Sequence, residues 1–356
     1  MSAAGRGYGH PDDDHRSQHG RPDAGQSAAG RGHGHPDDDH RSQHGRPDAG
    51  QSTSFCGLEL AHPIINGSGT FDAIAARRAF GAELDAAFPF AAFVSKTITL
   101  RPRAGNPPPR LWEAPAGLIN SIGLPNKGLE RYIAEDLPEL ARLPVPLITN
   151  VMGASAAELV ELVTACDEPS QIAAIELNVS CPNVQTGLDI GSDPRLLGEV
   201  VDAVRAHTVK PLIVKLTPNT DDVAGCAAAA EQAGADAVSL INTLRALALA
   251  PRADGGRSRR WLGAGTGGLS GPAIRAIALA QVAIVAEHVA IPVIGMGGVQ
   301  NAGHARDLLD AGAKLVAVGT ESFRNPAVGA EIAQGLCADR DSGQTDRAAY
   351  PSLRSN

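Results

Sequence analysis

Beyond residue 55 the chain alternates two patterns. Short, near-continuous apolar runs rich in Val, Ile, Leu and Ala fall at residues 63–66, 91–95, 146–149, 172–178, 212–214, 237–241, 292–294 and 315–318. Runs of this kind are expected of strands covered on both faces. Between them lie stretches with helical spacing, near residues 72–80, 129–140, 155–166, 193–207, 220–233, 272–288, 302–311 and 326–337. Local signals sharpen three of these. Ser155 with Glu158 three positions on is a capping box. Thr220 reads as a cap, with Asp221 and Asp222 in the first turn. Pro272 stands at the favoured opening position of a helix. Repeated strand–helix units of this number and length predict an α/β fold, a single-domain (β/α)8 TIM barrel. A doubly wound open sheet is the alternative, but no G-x-G-x-x-G follows the first strand. Residues 101–127 and 245–270 match neither period and read as long irregular loops, a length usually kept for function.

The ends of the chain stand apart. Residues 2–26 recur as residues 27–51, with Tyr8 replaced by His33, and the repeat holds no Leu, Ile, Val or Phe with which to build a core. Residues 1–52 are therefore expected to be a disordered polar extension, 53–340 the barrel and 341–356 a flexible tail. The repeat's histidines with Asp12, Asp13 and Asp14 could also supply metal ligands. No metal site is expected in the barrel.

Charge and composition exclude several classes. The net charge is −8, with no basic stripe of the kind a nucleic-acid partner requires. No apolar run approaches the roughly 20 residues that span a bilayer, and the N-terminus lacks the apolar centre of a secretion signal. The five cysteines, Cys56, Cys166, Cys181, Cys226 and Cys337, show no C-x-x-C, which argues against an iron–sulfur or zinc site within this chain. A reduced, cytoplasmic location is expected.

In a (β/α)8 barrel, sites form where the strands run out into the loops before the helices. Those positions hold Lys96, Asn150, Asn178 with Cys181, Lys215, and Asn242 with Thr243. Together they describe a polar, partly cationic cavity. The last two strands end instead in Gly297-Gly298 and Gly319-Thr320, which let backbone N–H groups approach an anion. Gly267 to Gly271 forms a further candidate phosphate wall. Pattern alone thus predicts a phosphorylated ligand beside a polar pocket with a thiol near it. Lys215 reads as a Schiff-base nucleophile, as a cation facing an electron-rich ring, or as one half of an ion pair.

Residues 176–184, Glu-Leu-Asn-Val-Ser-Cys-Pro-Asn-Val, carry the densest set of such groups. The segment Asn178 to Val184 resembles the signature of the class 1 dihydroorotate dehydrogenases, flavoproteins of pyrimidine biosynthesis. Asn120-Ser121-Ile122-Gly123-Leu124-Pro125-Asn126 is similar to their substrate loop. Ser95-Lys96-Thr97, residues 214–219, Ile241-Asn242-Thr243, residues 267–272 and residues 294–298 follow in family order. The resemblance implies FMN over the strand ends, its phosphate held by Gly297, Gly298, Gly319 and Thr320. Ser68, Gly69, Lys96, Thr97, Asn150, Asn178, Lys215, Ile241 and Gly271 would contact the rest of it. It implies dihydroorotate bound by Lys96, Asn120, Ile122, Gly123, Leu124, Asn178, Asn183, Asn242 and Thr243. Cys181 would be the base at C5 as hydride leaves C6. Val184-Gln185-Thr186-Gly187 resembles the NAD-linked 1B subtype, which implies a partner subunit carrying FAD and a [2Fe–2S] cluster around a homodimeric core. A fumarate-using class 1A enzyme and a flavin barrel for another dihydropyrimidine are the alternatives. The cluster Arg257, Arg259 and Arg260 reads as a solvated loop or a docking patch.

Overall fold

A computed structural model describes residues 52–179, 190–250 and 258–341. The tandem repeat, the C-terminal tail, Cys181 and Asn183 lie outside the described residues, as does Arg257. The strands are β1 (Ile64–Asn66), β2 (Phe93–Val94), β3 (Leu147–Val151), β4 (Ile172–Asn178), β5 (Leu212–Lys215), β6 (Ala237–Leu240), β7 (Val293–Met296) and β8 (Leu315–Val318). They form one parallel eight-stranded sheet in the order β1-β8-β7-β6-β5-β4-β3-β2. The ring is completed between β1 and β2. The Ala91 N–H donates to the Ile64 carbonyl at 2.9 Å. The Asn66 side chain stands in for further backbone, accepting from Val94 N–H and donating to Val94 O, each at 2.8 Å. The fold is a (β/α)8 barrel, as the alternation predicts.

Alternation along the strands, broken once by an irregularity between Ile172 and Ala174 where β4 pairs with β3, sorts their side chains. Ile64, Leu147, Ile172, Leu212, Val214, Val238, Val293 and Val316 face the helices. Ile65, Ile148, Ala174, Ile213, Ala237, Ile294, Leu315 and Ala317 fill the barrel interior. Continuing the alternation by two residues brings Asn150, Glu176, Lys215 and Ser239 inward, all of them buried. The interior therefore turns from apolar to polar towards the C-terminal ends of the strands. The other end is closed by an antiparallel hairpin, Thr53–Phe55 with Leu58–Leu60, whose Phe55 and Leu60 belong to the interior core.

Several local expectations need correction. Residues 101–127 and 245–270 are not wholly irregular. Leu111–Ala114, Gly117–Asn120, Leu244–Ala246 and Gly267–Ser270 form a second, antiparallel four-stranded sheet. These strands are short and two carry glycines, so they show no period of two. They become strands by pairing with residues far away in sequence. The helix expected to be capped by Thr220 runs Val223–Gln232 and is capped by Asp222, whose Oδ1 accepts from Gly225 N–H at 2.7 Å. Thr220 instead accepts from Asp222 N–H at 3.2 Å. The cap at Ser155 is present, its Oγ accepting from Glu158 N–H at 3.2 Å, but the reciprocal bond of a capping box is displaced by one residue: Glu158 accepts from Ala154 N–H at 2.8 Å and not from Ser155.

His62, just before β1, makes the fold acid-sensitive. Burial lowers its pKa from 6.5 to about 4, and its Nδ1 accepts from Ile64 N–H at 3.3 Å. The unfolded chain binds this proton below about pH 6.5 while the folded chain refuses it until about 4. Stability is therefore lost as pH falls through that window, by about 3 kcal/mol at most. His62→Asn, which keeps an acceptor for Ile64, should flatten that part of the profile. Denaturant midpoints at pH 7 and pH 4.5 check it, and an equal drop in both proteins would refute it.

Candidate functional site

The loops after the strands enclose a cavity of about 610 Å³, a size suited to a cofactor or small ligand. One wall is backbone. Gly297 and Gly298 follow β7 with φ of +136° and +70°. A Cβ on Gly297 would lie 2.6 Å from Ala278 Cβ, and one on Gly298 2.7 Å from Arg275 Cβ. Only glycine fits here, and its backbone is left bare towards the cavity. Gly319 and Thr320 follow β8, and the Thr320 hydroxyl donates to Ser270 Oγ at 2.8 Å. That bond ties the wall to Gly271, which also lines the cavity.

The floor and opposite wall are polar. Lys215 is buried at the end of β5, in register with Asn178 of β4 and Ser239 of β6. Asn178 Nδ2 donates to Thr97 Oγ1 at 3.2 Å, and Ser68 Oγ donates to Ser95 O at 2.8 Å. Lys96 is exposed to the cavity from the loop after β2. Neither lysine forms an ion pair with a carboxylate among the described residues. The roof comes from the antiparallel sheet: Asn120 Nδ2 donates to Gly268 O at 3.3 Å. The loop after it is strapped down by Asn126, which donates to Leu124 O and Thr99 Oγ1, each at 2.9 Å.

Most of the residues singled out in the sequence meet here. Ser68, Gly69, Lys96, Thr97, Asn120, Ile122, Leu124, Asn178, Lys215, Ile241, Asn242, Thr243, Gly271, Gly297, Gly298, Gly319 and Thr320 all line the one cavity. Two do not. Gly123 has φ of +74° and does not line the cavity; a Cβ there would lie 2.5 Å from Asn106. Asn150 sits in the buried network below, its Nδ2 donating to Glu176 Oε2. Cys181 and Asn183, on the segment after Asn178, lie outside the described residues. Sequence reasoning missed Leu111, Leu118, Gln300, Glu321 and Phe323, which also line the cavity. Leu111 and Leu118 lie on the unforeseen sheet. Gln300, Glu321 and Phe323 stand just beyond the glycines, where a polar or aromatic residue carries no distinguishing signal.

Cationic and amide side chains facing a bare-backbone wall suit a planar, hydrogen-bonding ring joined to an anion. The family model for dihydroorotate dehydrogenase matches residues 51–339. The chain belongs to the dihydroorotate dehydrogenase family. It is a flavin-dependent dihydroorotate oxidoreductase, and its likeness is to class 1B. A protein of Pelobacter propionicus named dihydroorotate dehydrogenase B (NAD(+)), catalytic subunit, is 47% identical over 285 residues, covering 80% of this chain and 91% of the relative. A protein of Solibacter usitatus, provisionally named dihydroorotate dehydrogenase A (fumarate), is 43% identical over 288 residues, covering 80% and 91%. In structure the chain is similar to a dihydroorotate dehydrogenase from Eimeria tenella solved in complex with ferulenol. The TM-score is 0.67 at 22% identity, over 84% of this chain and 86% of that one, a likeness of fold. No helix among the described residues is long and apolar enough to cross a membrane.

Proposed function

We propose that this chain oxidises dihydroorotate to orotate in UMP biosynthesis, in the cytoplasm, with FMN as its flavin. The observation that carries the reading is the division of one cavity between a glycine wall and two lysines without carboxylate partners. The residues fit the cofactor. Gly297, Gly298, Gly319 and Thr320 offer backbone N–H donors to a phosphate, and Lys215 offers a cation to the electron-rich edge of the ring. When bound, FMN supplies the acceptor for the hydride that leaves C6. Lys96 neutralises the substrate carboxylate, while Asn120, Asn178, Asn242 and Thr243 read the alternating N–H and C=O groups of the ring. Cys181 takes the proton from C5. The roof formed by Asn120 to Leu124 limits water around the reacting atoms. Purified protein should be yellow and should bleach under anaerobic dihydroorotate. A flavin spectrum untouched by dihydroorotate would sink the substrate assignment.

Electrons then pass to NAD through a partner subunit carrying FAD and a [2Fe–2S] cluster, around a homodimer of this chain. The name of the Pelobacter relative supports NAD and a further subunit, and a sequence without C-x-x-C suits a cluster held by that subunit. Copurification from the host of an iron–sulfur flavoprotein tests it. Reduction of fumarate by the isolated chain would favour the class 1A alternative, which the Solibacter relative keeps open.

The Lys96 assignment makes a separate prediction. A charge-assisted contact is worth about 1.5–3 kcal/mol, so Lys96→Ala should weaken orotate binding roughly 10- to 150-fold. Spectral titration of the flavin with orotate measures it. Unaltered affinity would point to a ring substrate without a carboxylate.

A further inference from the structure

The strand that presents Asn178 also holds a buried carboxylate for which the proposed chemistry has no use. Glu176 points into the barrel and is 2% exposed. Its Oε1 accepts from Ser239 Oγ at 2.7 Å and its Oε2 from Asn150 Nδ2. Both donors are neutral and fully buried. The network reaches further, since Asn150 N–H donates to Ser95 Oγ at 3.0 Å. The acid on β4 is thereby tied directly to the ends of β3 and β6, and through Asn150 to the segment after β2. Were packing the only requirement, an apolar residue would serve here at lower cost.

Register shows what the carboxylate sits beside. Strand β5 runs between β4 and β6, and its Lys215 is paired with Asn178 on one side and Ser239 on the other. Reaching Ser239 from β4 therefore takes the Glu176 side chain across β5, below Lys215. The lysine itself opens onto the cavity. An acid and a base are thus stacked at the cavity floor without a direct ion pair, in a region shielded from water, where fields act over longer distances. Asn150 is held with its Nδ2 spent on Glu176 and its buried Oδ1 left without a protein partner.

We propose that Glu176 is a positioning residue that sets the reduction potential of the flavin, its buried negative charge offsetting the cation of Lys215. The inference rests on the flavin lying against Lys215. Reduction adds negative charge to the ring. Lys215 favours that charge and Glu176, behind it, opposes it. Glu176 acts through Lys215 and Asn150, not on the substrate.

An anaerobic redox titration of the flavin-loaded protein against a reference dye tests this. Glu176→Gln keeps the shape and removes the charge. The reduced-to-oxidised ratio at fixed potential should rise at least tenfold, an upward shift of about 30 mV for a two-electron couple. Glu176→Asp, which keeps the charge, should stay near the wild-type midpoint. Ser239→Ala leaves the carboxylate with one donor fewer and should shift the midpoint downward. An unchanged midpoint in flavin-bearing Glu176→Gln overturns the proposal. If that variant does not hold flavin, Ser239→Ala decides, and a zero or upward shift overturns it. A wild-type protein without flavin absorbance would instead refute the reading of the cavity.

Discussion

Cys181→Ser should keep its yellow colour and its orotate affinity, yet turn over dihydroorotate about 10²- to 10⁴-fold more slowly near neutral pH. The thiol is the group proposed to remove the C5 proton. A free thiol has a pKa of about 8.5, so only modest lowering makes its thiolate available near neutrality. A serine hydroxyl in its place is far less acidic and must be activated at greater cost. The variant's rate should therefore climb with pH over a range where the wild-type rate has already levelled. Stopped-flow reduction of the flavin by dihydroorotate isolates this step from later electron transfer. The binding groups Lys96, Asn120 and Asn178 are untouched, so the orotate spectral shift should persist. Equal rates of flavin reduction at pH 7 in both proteins would remove Cys181 from the chemistry.

The barrel strands could be read from the sequence because each is covered on both faces. Burial on both sides leaves an apolar run with no competing pattern, as in residues 212–214 and 315–318. The functional positions could be read because they break those runs where the interior turns polar: Asn178 after Leu177, Lys215 after Val214. The four-stranded roof left no such mark. Gly267–Ser270 finds its partner, Gly117–Asn120, across about 150 residues of chain, and a glycine-rich strand has few side chains to alternate. The cap at Asp222 was hidden because Thr220 and Asp222 are both good caps, and only the backbone path chooses between them. Glu176 was visible as a residue and not as a neighbour. Only the register of β4, β5 and β6 puts it beside Ser239 and under Lys215.

Gly298→Ala should yield protein that folds but leaves the column without flavin. The residue has φ of +70°, and its new Cβ would meet Arg275 Cβ at 2.7 Å, Arg275 Cα at 3.1 Å and Gly271 O at 3.0 Å. The last is backbone, and so are the atoms behind it: Gly271 Cα already packs against Gly117 Cα, within 2.9 Å of where a Cβ on Gly271 would lie. Nor can Arg275 move freely, since its guanidinium is paired with Asp307. The strain must therefore go into the Gly297-Gly298 turn, away from the position where its N–H groups would meet a phosphate. Two charge-assisted bonds of about 1.5–3 kcal/mol each correspond to a loss of at least about 100-fold in FMN affinity. The left-handed conformation adds about 1–2 kcal/mol of instability, so the melting temperature should fall as well. Gly303→Ala is the matched control. It lies in the helix Ala302–Asp310, and its Cβ would meet only Asn301 Oδ1, at 3.4 Å. That variant should hold flavin as the wild type does. Fluorescence titration of apoprotein with FMN separates the two. Wild-type affinity in Gly298→Ala would show that the phosphate is bound elsewhere in the cavity, because no side chain can be added at this turn without displacing it.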